Sequence, residues 1–135
     1  MRSANLIAQP AEGLSRESIG QLVRTFYGKA RLDPHIGPVF EAAVDDWEHH
    51  LEHLTDFWSM VVLRDGRFRG SPMAAHARQP IRPEMFDTWL GLWRQSAREV
   101  FAPAVADEFI RRAERIAESF KLGLFFRPED EAPQP

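Results

Sequence analysis

Four long stretches of this chain repeat apolar residues at the i, i+3, i+4, i+7 interval of helices with one buried face. The first begins near Ser15, a good N-cap, with Glu17 in the first turn where a carboxylate suits the helix dipole. Ile19, Leu22, Val23, Phe26, Tyr27 and Ala30 form its apolar face, and Asp33-Pro34 stops it. Gly37-Pro38 then leads into a short segment ending at Phe40. Asp45 and Asp46 are cap candidates for a second long helix, running to about Leu63. At about 100° per residue, Trp47, His50, Leu51, Leu54, Phe57, Trp58 and Val61 share an arc of about 120°. His49, Glu52 and Asp56 point the other way.

Asp65-Gly66 is a turn signal. Residues 64–83 are the least periodic interior stretch, with Gly66, Gly70, Pro72, Pro80 and Pro83. Within them Ser71-Pro72 reads as a cap followed by proline at the first helical position, which starts a short helix over 72 to about 78 carrying His76. A connection this long is uncommon in a compact domain unless it serves a function. Pro83 and Glu84 open a third long helix to about Phe101, with Phe86, Trp89, Leu90, Trp93, Ala97, Val100 and Phe101 inward. Ala102-Pro103 breaks the chain. A fourth helix follows, with Val105, Phe109, Ala113, Ile116, Ala117, Phe120 and Leu124 inward. The pattern predicts an all-α domain over 14–126, a flexible arm over 1–13 and a disordered acidic, proline-rich tail over 127–135.

Composition narrows the chemistry. The 135 residues are 44% hydrophobic, enough for one real core. There is no cysteine, which excludes disulfides, thiolate metal ligands, iron–sulfur clusters and covalently attached haem. The net charge of −3 argues against nucleic-acid binding. No apolar run is long enough to span a membrane, and no secretion signal stands at the N-terminus, so a cytoplasmic protein is expected. Ten Phe and four Trp can wall a cofactor or simply fill a core.

No nucleophile elbow or phosphate-cradling glycine loop is present. His49 and His53 have the i, i+4 spacing of zinc ligands, but the metalloprotease pattern needs Glu directly after the first His, where His50 stands. A solvated pair is the better reading. His50 lies in the middle of an apolar helical face, as a core histidine bonded to backbone would. Tyr27 and Trp89 also sit on apolar faces and suit packing as well as chemistry. His76 follows Ala74-Ala75 in the glycine- and proline-rich connection, an odd place for a core residue.

Taken in order, these segments resemble a known family. Phe26-Tyr27, Leu32-Asp33, Gly37-Pro38-Val39-Phe40, Trp47-Glu48-His49-His50, Phe57-Trp58, the run from Gly70 to His76, Phe86-x-x-Trp89-Leu90, and the run from Arg115 to Phe120 are similar to those of group III truncated haemoglobins. The match spans about residues 18 to 125 in register.

The resemblance implies a truncated globin fold, a two-over-two helical sandwich with a short proximal helix in an extended linker. It implies haem b held without a covalent bond, with His76 as the proximal iron ligand. Tyr27, His50 and Trp89 match the distal polar residues, which gives them ligand-stabilising roles. Phe40 matches the phenylalanine that stacks on the haem, and Leu54 and Phe57 fall at pocket-lining positions. The implied partners are oxygen, carbon monoxide, nitric oxide and cyanide, together with a reductase that keeps iron ferrous. Oxygen or nitric-oxide chemistry is expected rather than transport. Peroxidase or nitric-oxide-oxidising activity is the enzymatic alternative, and a haem-free helical sensor or interaction module is the third. Arg78 and Arg82, near the proximal side, are candidate propionate partners or ordinary solvated arginines.

Overall fold

The structure, a computed structural model, describes residues 13–64, 76 and 79–125. All regular structure among them is helical: α1 (Arg16–Ala30), α2 (Gly37–Ala43), α3 (Trp47–Leu63), α4 (Pro83–Val100) and α5 (Pro103–Phe125). The expected arm and tail, and most of the short helix around His76, lie outside the described residues.

The helix starts follow local chemistry. Ser15 caps α1 through a reciprocal pair with Ser18: each side-chain oxygen accepts from the other residue's backbone N–H, at 3.1 and 2.9 Å. Of the two aspartates before α3, Asp46 is the cap, its carboxylate accepting from His49 N at 3.2 Å. Pro83 stands at the start of α4, where its missing N–H costs nothing. After α1, the Asp33 carboxylate accepts from the N–H groups of His35 and Ile36, at 2.7 and 3.0 Å, which fixes the turn. α3 is capped by Arg64, whose φ of 58° is left-handed, so the helix stops one residue before the Asp65-Gly66 signal, which lies outside the described residues.

The short segment after Gly37-Pro38 runs to Ala43, three residues beyond the expected end at Phe40. Glu41, Ala42 and Ala43 contain no breaker, so the helix continues. Gly37 permits its close seating on α1, since a Cβ there would lie 2.6 Å from the Arg31 carbonyl oxygen. This approach brings Phe40 to the Tyr27 ring, 5.1 Å between centroids.

Two helix pairs make the two layers: α1 packs on α3, α4 packs on α5, and α1 also meets α4. The inward residues of α1 are all buried. Trp58 of α3 stacks on Trp93 of α4 at 4.5 Å, and Phe101 stacks on Phe109 at 4.9 Å. The Trp93 indole N–H donates to the Phe109 carbonyl at 3.3 Å, so this ring enters the core with its polar atom satisfied.

The face of α3 differs from a simple apolar stripe. Thr55, Trp58 and Ser59 are its buried residues. Leu54, Phe57 and Val61, expected within the stripe, are only partly buried. α3 meets α1 along its small-residue edge, where Gly20 faces Thr55. Thr55 returns its hydroxyl to the Leu51 carbonyl at 2.8 Å, which allows its burial. The large apolar side chains of α3 therefore present part of their surface beside α1 and α4 instead of spending it on them.

Ion pairs at the surface join the helices: Arg24 with Glu48 and Arg94 with Glu114 within the layers, each at 3.0 Å, and Lys29 with Glu99 between them at 3.1 Å. Pairs this exposed contribute little, about 0–1 kcal/mol each. Among the described residues no helix is long and apolar enough to cross a membrane.

Candidate functional site

Tyr27 lies near the end of the buried face of α1 and is 6% exposed. Its hydroxyl lies 3.4 Å from His50 Nε2, at the outer limit of a hydrogen bond. The two rings meet edge to face at 5.4 Å. Phe26 touches Tyr27 at 4.8 Å and Trp89 at 6.1 Å, linking the α4 indole to the same region. Trp89 is half-buried and stacks on Trp93 at 5.9 Å. Among the described residues, no acceptor takes a hydrogen bond from the Trp89 N–H.

Burial keeps these groups in one protonation state. Loss of solvent pushes the Tyr27 phenol well above its ordinary range, so it remains an O–H donor. Burial also holds His50 down at about 4, with the nearby imidazoles of His53, His49 and His76 adding to the effect. His50 is therefore neutral near pH 7, with one donor and one acceptor nitrogen.

His76 is half-buried with helical backbone, and its ring lies 4.8 Å from Phe120 of α5. Its carbonyl accepts from Gln79 N at 3.0 Å. Phe40 of α2, Leu54 and Phe57 of α3, and Trp89 of α4 are half-buried apolar side chains packed against the core.

This donor set suits an iron porphyrin held without a covalent bond. One imidazole comes from the connection before α4, apolar surface comes from three helices, and neutral N–H and O–H groups come from the α1 and α3 side. Of the expected residues, Tyr27 touches both His50 and Phe40, and Trp89 joins Tyr27 through Phe26. Leu54 and Phe57 follow His50 by one and two turns on α3.

Other candidates fall elsewhere. His49 is exposed, and its ring stacks on His53 at 6.3 Å. Both line an outer cleft with Arg16, Glu52 and Asp56. Among the described residues, no group of three or more His, Cys, Asp or Glu side chains could hold a metal ion. Asp56, expected to point to solvent, is partly buried by its ion pair with Arg16 at 2.6 Å. Arg82 pairs with Glu84 at 2.9 Å and reaches His35 at 3.4 Å. Arg78 lies outside the described residues.

Three residues beside the site were given no role by the sequence: Trp47, which lies on the expected apolar arc, and Arg31 and Glu41, which have no signal in the hydrophobic pattern. Trp47 touches both Tyr27 and His50, at 5.5 and 5.6 Å. Arg31 lies over the Trp47 ring at 4.1 Å and pairs with Glu41 at 2.7 Å.

Two helical layers and this donor set define a small protein of the globin class. No protein-family model matches the chain. Its fold is similar to the crystal structure of a group III truncated haemoglobin from Campylobacter jejuni, with a TM-score of 0.79 and 32% identity, covering 83% of this chain and 92% of that one. In sequence, it is 32% identical over 119 residues to the Campylobacter jejuni group 3 truncated hemoglobin ctb, covering 84% of this chain and 94% of that relative. The chain belongs to the group III truncated haemoglobins, a family of haem-binding globins.

Proposed function

We propose that this protein binds haem b non-covalently through His76 and reversibly takes oxygen, carbon monoxide, nitric oxide or cyanide on the side of Tyr27, His50 and Trp89. The observation that carries this reading is the contact between a buried phenol and a neutral imidazole, beside apolar side chains that keep part of their surface exposed. Bound haem would supply an iron that His76 would hold and at which a small ligand would bind.

The chain's own residues do the rest. Tyr27 keeps its proton and offers an O–H. Trp89 offers an indole N–H, which a ligand carrying partial negative charge accepts. His50 can donate from one nitrogen and accept at the other. Phe40, Leu54 and Phe57 keep water away, and the lower local dielectric strengthens each bond. Stabilisation of this kind favours tight binding and slow release, which suits oxygen or nitric-oxide chemistry better than transport. Such a role calls for a reductase in the cytoplasm to keep the iron ferrous.

Absorption spectra of the ferric, ferrous and carbonyl forms test the reading. A Soret band with one histidine nitrogen on ferrous iron is expected. A protein that stays colourless after haem supplementation contradicts it and favours the haem-free interaction module.

The neutral His50 ring favours a second reading, because it can accept a proton from peroxide. Turnover of an electron donor by the ferric protein and peroxide, compared with free haem, tests peroxidase action. Rates no better than free haem reject it.

A further inference from the structure

The strongest geometry outside the residues considered so far is gathered around Trp47, the first residue of α3. The His50 ring touches two aromatic rings. Tyr27 meets it at 5.4 Å and 82°, and Trp47 meets it at 5.6 Å and 90°. Tyr27 and Trp47 also meet each other edge to face, at 5.5 Å and 62°. The three rings form a closed triangle, each edge in an arrangement that aromatic quadrupoles favour.

Trp47 is itself held from outside. Arg31, just past the end of α1, places its guanidinium 4.1 Å from the Trp47 ring centroid, within range of a cation–π contact. Glu41 of α2 accepts from Arg31 Nε at 2.7 Å, which fixes that guanidinium over the indole. Arg31 and Glu41 are both exposed, so their ion pair adds little to global stability. Its consequence is orientation: the end-cap of α1 and residues of α2 and α3 each contribute one member of a Glu–Arg–Trp series whose last ring abuts His50.

We propose that Trp47, held by Arg31 and Glu41, is the positioning residue that keeps the His50 imidazole beside Tyr27. With Trp47 removed, the imidazole gains other staggered side-chain positions and leaves the Tyr27 hydroxyl for part of the time. The inference rests on the reading of His50 as ligand-facing, and it adds a residue that acts on the ligand only through His50.

Two measurements test it. In the haem-free full chain, NMR of the histidine rings should give one His50 signal set, with cross-relaxation to both Trp47 and Tyr27. Trp47→Leu should broaden or split that set and weaken the contact with Tyr27. In the haem-loaded carbonyl form, the same substitution should convert one dominant C–O stretching band into at least two. Arg31→Met and Glu41→Gln leave the indole in place and should raise the displaced His50 population by about 2- to 5-fold, the range expected for loss of an exposed cation–π contact. Trp47→Phe, which keeps an aromatic edge and face, should largely restore both signatures.

An unchanged His50 signal set and a single carbonyl band in Trp47→Leu, with the Soret band intact, would overturn the proposal. Should Trp47→Leu not fold, wild-type spectra in both the Arg31 and Glu41 variants would overturn it equally. Failure of the wild-type chain to take up haem would refute the haem reading instead, and the haem-free measurement would still decide the role of Trp47.

Discussion

Trp89 and Trp93 lie one turn apart on α4 and stack on each other at 5.9 Å, yet they belong to two different regions. Trp93 is 1% exposed, stacks on Trp58 and gives its N–H to the Phe109 carbonyl. Trp89 is half-buried, and no described residue accepts its N–H. The same contrast separates Phe109, fully buried, from Phe40 and Phe57, which keep exposed surface. Identical residue types are structural where every atom has a partner. They become candidates for binding where apolar surface and a polar tip remain available at the same place.

Substitutions at the two tryptophans should separate the regions most strongly. Trp93→Ala is expected to cost about 3–5 kcal/mol in urea unfolding, because it leaves a cavity among stacked rings. Trp89→Ala should cost less than half as much while speeding ligand release. Equal stability losses would erase the distinction. Next in size, Tyr27→Phe removes one donor without changing ring packing. A bond of about 1.5–3 kcal/mol predicts oxygen release faster by roughly 10- to 150-fold in stopped flow. An unchanged rate would place Tyr27 with the structural rings.

A smaller effect follows from His50. Folding holds its pKa at about 4, below the ordinary 6.5, so the unfolded chain binds more protons between those values. Stability is therefore full above about pH 6.5, declines as pH falls, and has lost this contribution below about 4. For a half-buried ring screened by solvent, the change is about 1–2 kcal/mol in the haem-free chain. His50→Leu should flatten the stability profile across that window. The smallest effect belongs to Gly20→Ala, whose new methyl would meet Thr55 at 3.7 Å, an ordinary contact. Better helix propensity then raises stability by up to about 1 kcal/mol. A loss at that site would show that the α1–α3 crossing is tighter than described.

The long helices and their caps were legible because both are local properties. Ser15 and Pro83 announce helix starts through chemistry confined to a few residues. The burial of Thr55 and Ser59 was not legible, since small polar residues read as outward by hydropathy and their burial depends on how closely α3 crosses α1. Periodicity turned Tyr27 and His50 inward without saying whether they pack or bind. Family resemblance named their roles, and the structure brings their polar tips to 3.4 Å. Arg31, Glu41 and Trp47 are separated by loops and come from three helices or their ends, so no spacing rule could join them.

The central claim is that the His76 nitrogen holds the iron while His50 works from the other side. Imidazole rescue tests it directly. His76→Gly should lose the ferrous histidine–iron stretching band in resonance Raman spectra and regain it when free imidazole is added. His50→Gly should keep the band throughout. A band that survives in His76→Gly before imidazole is added would contradict the account.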